Sequence, residues 1–341
     1  MMTTGQDQSD IFRGVSSLQE SESVKGTPAS RLPAFVLGEE LADMADSDGR
    51  IVVLTADLAP ANRTTEFQAR HPNRFFDFGI AEKNMITAAA GMASCGQIPY
   101  AATFAAFCAI LGAEQVRTDC AYTRMPVRVL GHHSGISMGF YGTTHHALED
   151  LGMMRTIADL TVVCTTDANH LRAVLRASLD HPGAMYIRMG RGRDPEVYAE
   201  VPEGLTFGRA IRLAEGSDLT IIATGSEVRA ALDAAELLRE DGISARVVDM
   251  HTIKPLDAEE VRSAAAETGA VLTVEEHNVI GGLGSAVAEV LVECARVPFL
   301  RHGVRDEFAL IGPPGALYAH YKLDGPGVRE VALGLLRGTG A

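Results

Sequence analysis

The sequence predicts an α/β protein of two consecutive doubly wound domains, each built on a mostly parallel sheet. Three observations carry this expectation. From residue 31 to 193, β-prone runs about five residues long alternate with longer helical patterns, as repeated βα units do. The segment "GRDPEVYAEVPEG" (192–204), with two prolines, two glycines and scattered charge, then interrupts the alternation. A second βα series follows it.

Taken in order, residues 1–28 are rich in Ser, Gln, Asp, Thr and Gly, too polar for a core, and read as a flexible arm or a strap across a partner. The first domain is expected over 29–193. Its strands are "IVVLT" (51–55), "RFFDF" (74–78), "IPYAAT" (98–103), "VRVLG" (127–131), "LTVVC" (160–164) and "AMYIRM" (184–189). Helical patterns such as "AEKNMITAAAGMASC" and "ANHLRAVLRASLD" separate them. Residues 194–206 form the linker and 207–341 a smaller second domain. There "DLTIIAT", "ARVVDM", "AVLTVEE" and "PFLRHG" read as strands, and "SEVRAALDAAELLRE", 258–267 and "SAVAEVLVECA" as helices. No short-period repeat is present.

Composition narrows the class. The 341 residues suffice for two domains of ordinary size, and at 46% apolar content no run nears 18 uninterrupted apolar residues, so no membrane span is expected. The start "MMTTGQDQSDIFRG" lacks the pattern of a signal peptide. Five cysteines without a CxxC pair read as core thiols of a reduced, cytoplasmic protein. Thirty basic residues against 44 acidic ones give a formal charge of −14 with no basic block, which disfavours nucleic acid as a partner.

Several residues combine an ordinary role with a chemical one. Glu82 in "FFDFGIAEKNM" stands in the first turn of a helical segment, where a carboxylate complements the helix dipole. Its apolar neighbours Ile80, Ala81 and Met85 would also let a buried carboxyl hold or share a proton. Phe104 and Phe107, three apart in "ATFAAFCAILGAEQVR", share a face if the segment is helical, as core or as a wall for a flat ring. Of the arginines at element ends (Arg31, Arg188, Arg191 and Arg193), Arg188 closes an apolar strand, the edge where open α/β sheets place ligands. "TGSEV" and "GGLGSA" match no phosphate-loop pattern and read as tight strand-to-helix turns. The pairs His132–His133 and His145–His146 show no zinc spacing, and neighbours in a strand point to opposite faces, so no metal site is expected.

Together these segments resemble the C-terminal portion of transketolase, the thiamine-diphosphate enzyme that moves two-carbon ketol units between sugar phosphates. "TADLAPANRT", "FFDFGIAEKNM", "TFAAFCAILGAEQVR", "GTTHHALEDLGMMR", "YIRMGR", "TGSEV", "ARVVDMHTIKPLD" and "TVEEHNVIGGLG" occur in family order, from Arg31 to about Leu336. The two domains would then be a pyrimidine-binding domain and a transketolase C-terminal domain. The resemblance implies that Glu82 contacts N1′ of the cofactor's aminopyrimidine, and that the proton shared there helps thiazolium C2 become the nucleophile that attacks the ketose. It implies that Phe104 and Phe107 stack on the pyrimidine and that Asp57 lies near the cofactor. His145 would contact the ketol oxygens and assist proton transfer. His133 and Arg188 would face a substrate phosphate, and Arg31 would belong to the same pocket.

Three departures from the family pattern bear on function. No GDG, which opens the family's diphosphate- and Mg²⁺-binding motif, occurs in this chain, so an N-terminal partner subunit is implied, in an α2β2 assembly. Tyr141 falls where a "GEDGPTH"-like run has the Asp that reads a sugar hydroxyl, which implies a non-standard substrate. Ala61 replaces the serine of "TPSN". The alternative within thiamine chemistry is the β subunit of a 2-oxo acid dehydrogenase or of an enzyme passing its unit to a carrier thiol. A non-catalytic paralogue is disfavoured by the retention of Glu82, both phenylalanines and His145, and a Rossmann dehydrogenase by the lack of a dinucleotide fingerprint.

Overall fold

The computed structural model describes residues 36–191, 194–294 and 296–338. The polar arm (1–28), Arg31 and Arg193 lie outside the described residues.

The first sheet takes β1 (Ile51–Thr55), β2 (Phe75–Asp77), β3 (Ile98–Phe104), β4 (Arg128–His132), β5 (Thr161–Cys164) and β6 (Met185–Arg188). The second takes β7 (Ile211–Ala214), β8 (Leu219–Ala223), β9 (Ala245–Asp249), β11 (Val271–Asn278) and β12 (Phe299–Val304). Between β9 and β11 the chain sends β10 (Thr252–Lys254) back to the first sheet, antiparallel to β5. The strand orders are β10-β5-β6-β4-β3-β1-β2 and β12-β11-β8-β9-β7. Every pairing is parallel except β10 with β5 and β7 with β9.

Both faces of the first sheet are covered, which explains its unbroken apolar strands. In β1, Val52 and Leu54 enter a core shared with the Glu82–Ser94 helix and with Val248, Met250 and Ile253 of the second series. Ile51 and Val53 enter the opposite core, under the Val36–Ser47 and Ala168–Ser178 helices. The second sheet packs a third core against the Glu227–Glu240 and Gly325–Leu336 helices. One core therefore runs through both sheets, and β10 ties them by backbone hydrogen bonds as well.

Some expectations need correction. Cys95 and Cys294 are exposed, so only three of the five free thiols belong to the core. Phe104 and Phe107 do not share a helix: Phe104 ends β3 and Phe107 opens a π-helical turn, Phe107–Leu111.

Candidate functional site

In a parallel sheet all strands end at one edge, and that edge is where the segments singled out above converge. Asp57 lies just past β1 with a left-handed backbone (φ 56°), exposed, its N–H donating to Asp77 Oδ1 at 2.9 Å. Asp77 Oδ1 also accepts from the Gly79 N–H (2.9 Å), so the last residue of β2 orders the loop that leads to Glu82. Glu82 opens the Glu82–Ser94 helix after Ala81, which gives no side-chain cap. It is only 7% exposed, and its carboxylate makes no hydrogen bond or ion pair with any described residue. A side chain held mostly under its neighbours, with a carboxylate that keeps no protein partner, is available to a ligand's donor.

Aromatic rings gather at the same edge. The Phe104 ring lies 5.5 Å from Phe107, 4.5 Å from His133 and 5.8 Å from His145, centroid to centroid. His145 also meets Phe107 at 5.3 Å and Tyr141 at 4.9 Å. Strand end and π turn thus place two phenyl rings within stacking range although they share no helical face. Tyr141 is 60% exposed and borders the group from a 3₁₀ segment, Gly139–Thr144, that Gly142 breaks (φ 68°). Thr144 Oγ1 pairs with His145 Nδ1 at 2.8 Å, which leaves Nε2 for a ligand. Desolvation lowers the His145 pKa below its ordinary 6.5, favouring the neutral ring.

His132 and His133 do not take opposite sides. A left-handed backbone at His133 (φ 58°) swings its ring beside His132, centroids 4.3 Å apart, with their Nδ1 atoms paired. Burial first, then the charges of Arg191 and Arg63, pushes His133 down to about 3. Burial first, then His133, Arg63 and Arg191, holds His132 well below 6.5. Both rings are neutral at neutral pH, so His133 offers a ligand one N–H rather than a charge.

Arg188 is not placed to face a ligand. Side chains alternate along β6, so Arg188 shares a face with Tyr186, which is the face under the second sheet. It is 2% exposed and donates to Asp150 Oδ2 (2.7 Å), Ala147 O (2.9 Å) and Glu276 O (2.9 Å). The cations near His133 are instead Arg63 and Arg191, both exposed on loops at this edge. The place of Arg191 after an apolar strand marks it in the sequence. Arg63 carries a weaker mark: "APANRT" puts a basic residue after the short Ala59–Asn62 helical turn that follows β1, and the sequence reading missed it.

The glycine turns carry no anion site of their own. The N–H groups of Leu283 and Gly284, which open the Leu283–Cys294 helix, donate to the Glu275 carboxylate at 2.7 and 2.8 Å. Ser226, in the "TGSEV" turn, donates to Glu276 Oε2 at 2.8 Å. Among the described residues, no three His, Cys, Asp or Glu side chains are grouped to hold a metal ion, and no helix is long and apolar enough to cross a membrane.

Comparison with known proteins matches residues 34–195 to the transketolase pyrimidine-binding domain and 208–328 to the transketolase C-terminal domain. The chain is 44% identical over 272 residues to a 6-deoxy-6-sulfo-D-fructose transketolase subunit of Clostridium sp. (80% of this chain, 84% of the relative). It is 39% identical over 295 residues to an apulose-4-phosphate transketolase subunit of Phocaeicola vulgatus (86% and 94%). Among solved structures it resembles a split gene transketolase described as an inactive β4 tetramer, with a TM-score of 0.81 and 39% identity over 90% of this chain and 97% of that one.

Proposed function

Since the chain belongs to the transketolase family, we propose that it is the pyrimidine-side subunit of a split enzyme. The reaction is thiamine-diphosphate-dependent transfer of a two-carbon ketol unit from a ketose or ketose phosphate to an aldehyde. The observation that carries this is Glu82, a mostly buried residue whose carboxylate is unpartnered among the described residues, at the edge where Phe104, Phe107 and His145 meet. Those residues fit the aminopyrimidine end of the cofactor: a flat, apolar ring with a nitrogen that an acid must meet. When bound, thiamine diphosphate supplies the carbon nucleophile for cleavage of the ketose. The protein's part is to hold and move protons and to orient. Glu82 shares a proton with the pyrimidine nitrogen, and the two phenyl rings fix the ring plane. Neutral His145 presents Nε2 to the ketol oxygens as acceptor or, once protonated, as donor. Asp57 is assigned to the cofactor, and Arg31, outside the described residues, is assigned to substrate binding by the family resemblance alone.

The diphosphate and Mg²⁺ fall to an N-terminal partner subunit, in an α2β2 assembly. No GDG is present in the sequence. Ile80, just before Glu82, and Ile110, Leu111 and Tyr122, on the helical turns packed against the Glu82–Ser94 helix, are exposed apolar groups suited to being covered. The relatives above are themselves described as subunits. We assign residues 29–193 to the pyrimidine-binding domain, 194–206 to the linker and 207–341 to the C-terminal domain, in a cytoplasmic protein.

His133, with Arg63 and Arg191, forms the anion-recognising rim. Tyr141 stands where the family pattern has an acid that reads a sugar hydroxyl, and losing that acceptor weakens recognition of the usual polyol. The substrate is therefore a ketose whose pattern near that hydroxyl differs, as in the branched or deoxy sugars. Donor cleavage by the reconstituted pair decides: ordinary turnover of xylulose 5-phosphate and fructose 6-phosphate removes the altered-substrate reading. Glu82→Gln in the same pair should lower kcat by about 10²–10⁴-fold, and retained activity removes the catalytic assignment.

A further inference from the structure

The loop from Gly131 to Asp150, which carries Tyr141 and His145, is held at its base by the second domain. Gly135 and Ala147 exchange both backbone hydrogen bonds, at 3.1 and 2.9 Å, and close the base as a two-residue ladder. Arg188 clamps the closure by donating to Ala147 O and Asp150. Against this base stands Glu276, near the end of β11 and 1% exposed. Its Oε1 accepts from the Ile136 N–H (2.7 Å) and the Tyr318 hydroxyl (2.7 Å), and its Oε2 from Ser226 Oγ (2.8 Å). Gly135 has φ +60°, and a Cβ there would lie 2.1 Å from the Glu276 carboxyl carbon, so the carboxyl fills the space that glycine leaves open. Further along, a Cβ on Gly139 would meet Gly312 O at 2.4 Å and one on Gly142 would meet Ile311 at 2.8 Å. The loop is seated on the second domain at several points, and the Glu276 carboxylate joins it to the residues Ser226 and Tyr318 there.

We propose that Glu276 is a positioning residue for the substrate pocket: through the Ile136 N–H it fixes the loop so that His145 faces the rings of Phe104 and Phe107 with Tyr141 packed against it. This rests on the reading above that the loop is the substrate wall. Glu276 itself touches none of those rings. Its effect is to remove alternative loop conformations before the substrate arrives, so its loss falls on substrate capture and alignment rather than on cofactor activation.

The test uses the full chain with its partner subunit. Glu276→Gln keeps one acceptor oxygen for Ile136 and Tyr318 and can donate its amide to Ser226 Oγ, so it should behave within about threefold of the parent. Glu276→Ala removes the acceptor, and the KM of the donor should rise about ten- to hundredfold while half-saturation by thiamine diphosphate stays within about twofold. Donor probes are 6-deoxy-6-sulfofructose, fructose 6-phosphate and xylulose 5-phosphate. Independently of any donor, amide hydrogen exchange over 136–146 should accelerate in Glu276→Ala and not in Glu276→Gln. Tyr318→Phe, which removes one donor, should shift both readouts in the same direction by less, and carries the test if the alanine variant does not fold. Unchanged exchange over 136–146, a Gln variant as impaired as Ala, or a kcat loss with KM unchanged overturns the proposal. His145→Ala separates the two levels. If that variant keeps full activity, the reading of the loop as substrate wall fails; if it loses activity while Glu276→Ala does not, only the role of Glu276 fails.

Discussion

At the scale of single residues, the pair Arg188–Asp150 sets the strongest constraint on substitution. Both side chains are buried, and the guanidinium Nε lies 2.7 Å from the carboxylate. Tyr186 donates to the same Asp150 oxygen at 2.7 Å. Removing one member leaves a charge with no solvent, so Arg188→Ala should cost about 3–5 kcal/mol in urea unfolding. The double change Arg188→Met with Asp150→Leu removes the unpaired charge but should recover only part of that loss, because the buried Tyr186 hydroxyl and the Glu276 carbonyl lose their partners. His145 makes a different forecast. Its pKa is lowered by desolvation, so the neutral ring persists on acidification past the ordinary 6.5. The acid limb of kcat/KM should therefore lie below pH 6.5, and a limb centred above 6.5 would assign it to another group.

At the scale of elements, Glu275 replaces the usual polar residue at a helix start. It is a strand residue that reaches across to cap the Leu283–Cys294 helix through the N–H groups of Leu283 and Gly284. Glu275→Ala should destabilise the protein by about 1–3 kcal/mol, read as a lower urea midpoint. Most strands and long helices were legible in the sequence, because apolar runs with two buried faces and helices with apolar spacing announce themselves locally. What was not legible depends on partners distant in the chain. β10 has only three residues, and only the free edge of β5 makes it a strand. The π turns from Phe107 decide where the second phenyl ring lies, and residue spacing alone suggested a shared helical face. Arg188 reads as a ligand arginine from its strand end, until the element covering that face is known. In "TVEEHN" two adjacent carboxyls end an apolar strand, a signal of buried acids whose partners only the fold reveals.

At the scale of the whole molecule, the contact between the two halves is polar as well as apolar and responds to pH. Burial raises the Asp249 carboxyl from 3.8 to about 7, while Thr166 and Tyr198 hydroxyls donate to it. Burial lowers His251 from 6.5 to about 4. The carboxyl's contribution is complete below pH 3.8 and is lost as the pH rises to about 7. The histidine's contribution is complete above pH 6.5 and is lost as the pH falls to about 4. The two oppose each other between about pH 4 and 6.5, so Asp249→Asn should make Tm rise more steeply with pH across that window, and thermal melts at pH 5 and 7 read the difference. A fragment ending at residue 206 lacks β10 and should associate through the uncovered β5 edge, visible by size exclusion. The crossing strand also has an evolutionary reading. The linker at 194–206 has the composition of a boundary, but dividing a gene there would take the edge strand away from the sheet it completes. Fission and domain shuffling in this chain are thus disfavoured at the place where composition alone would invite them, and the two halves are expected to be inherited together.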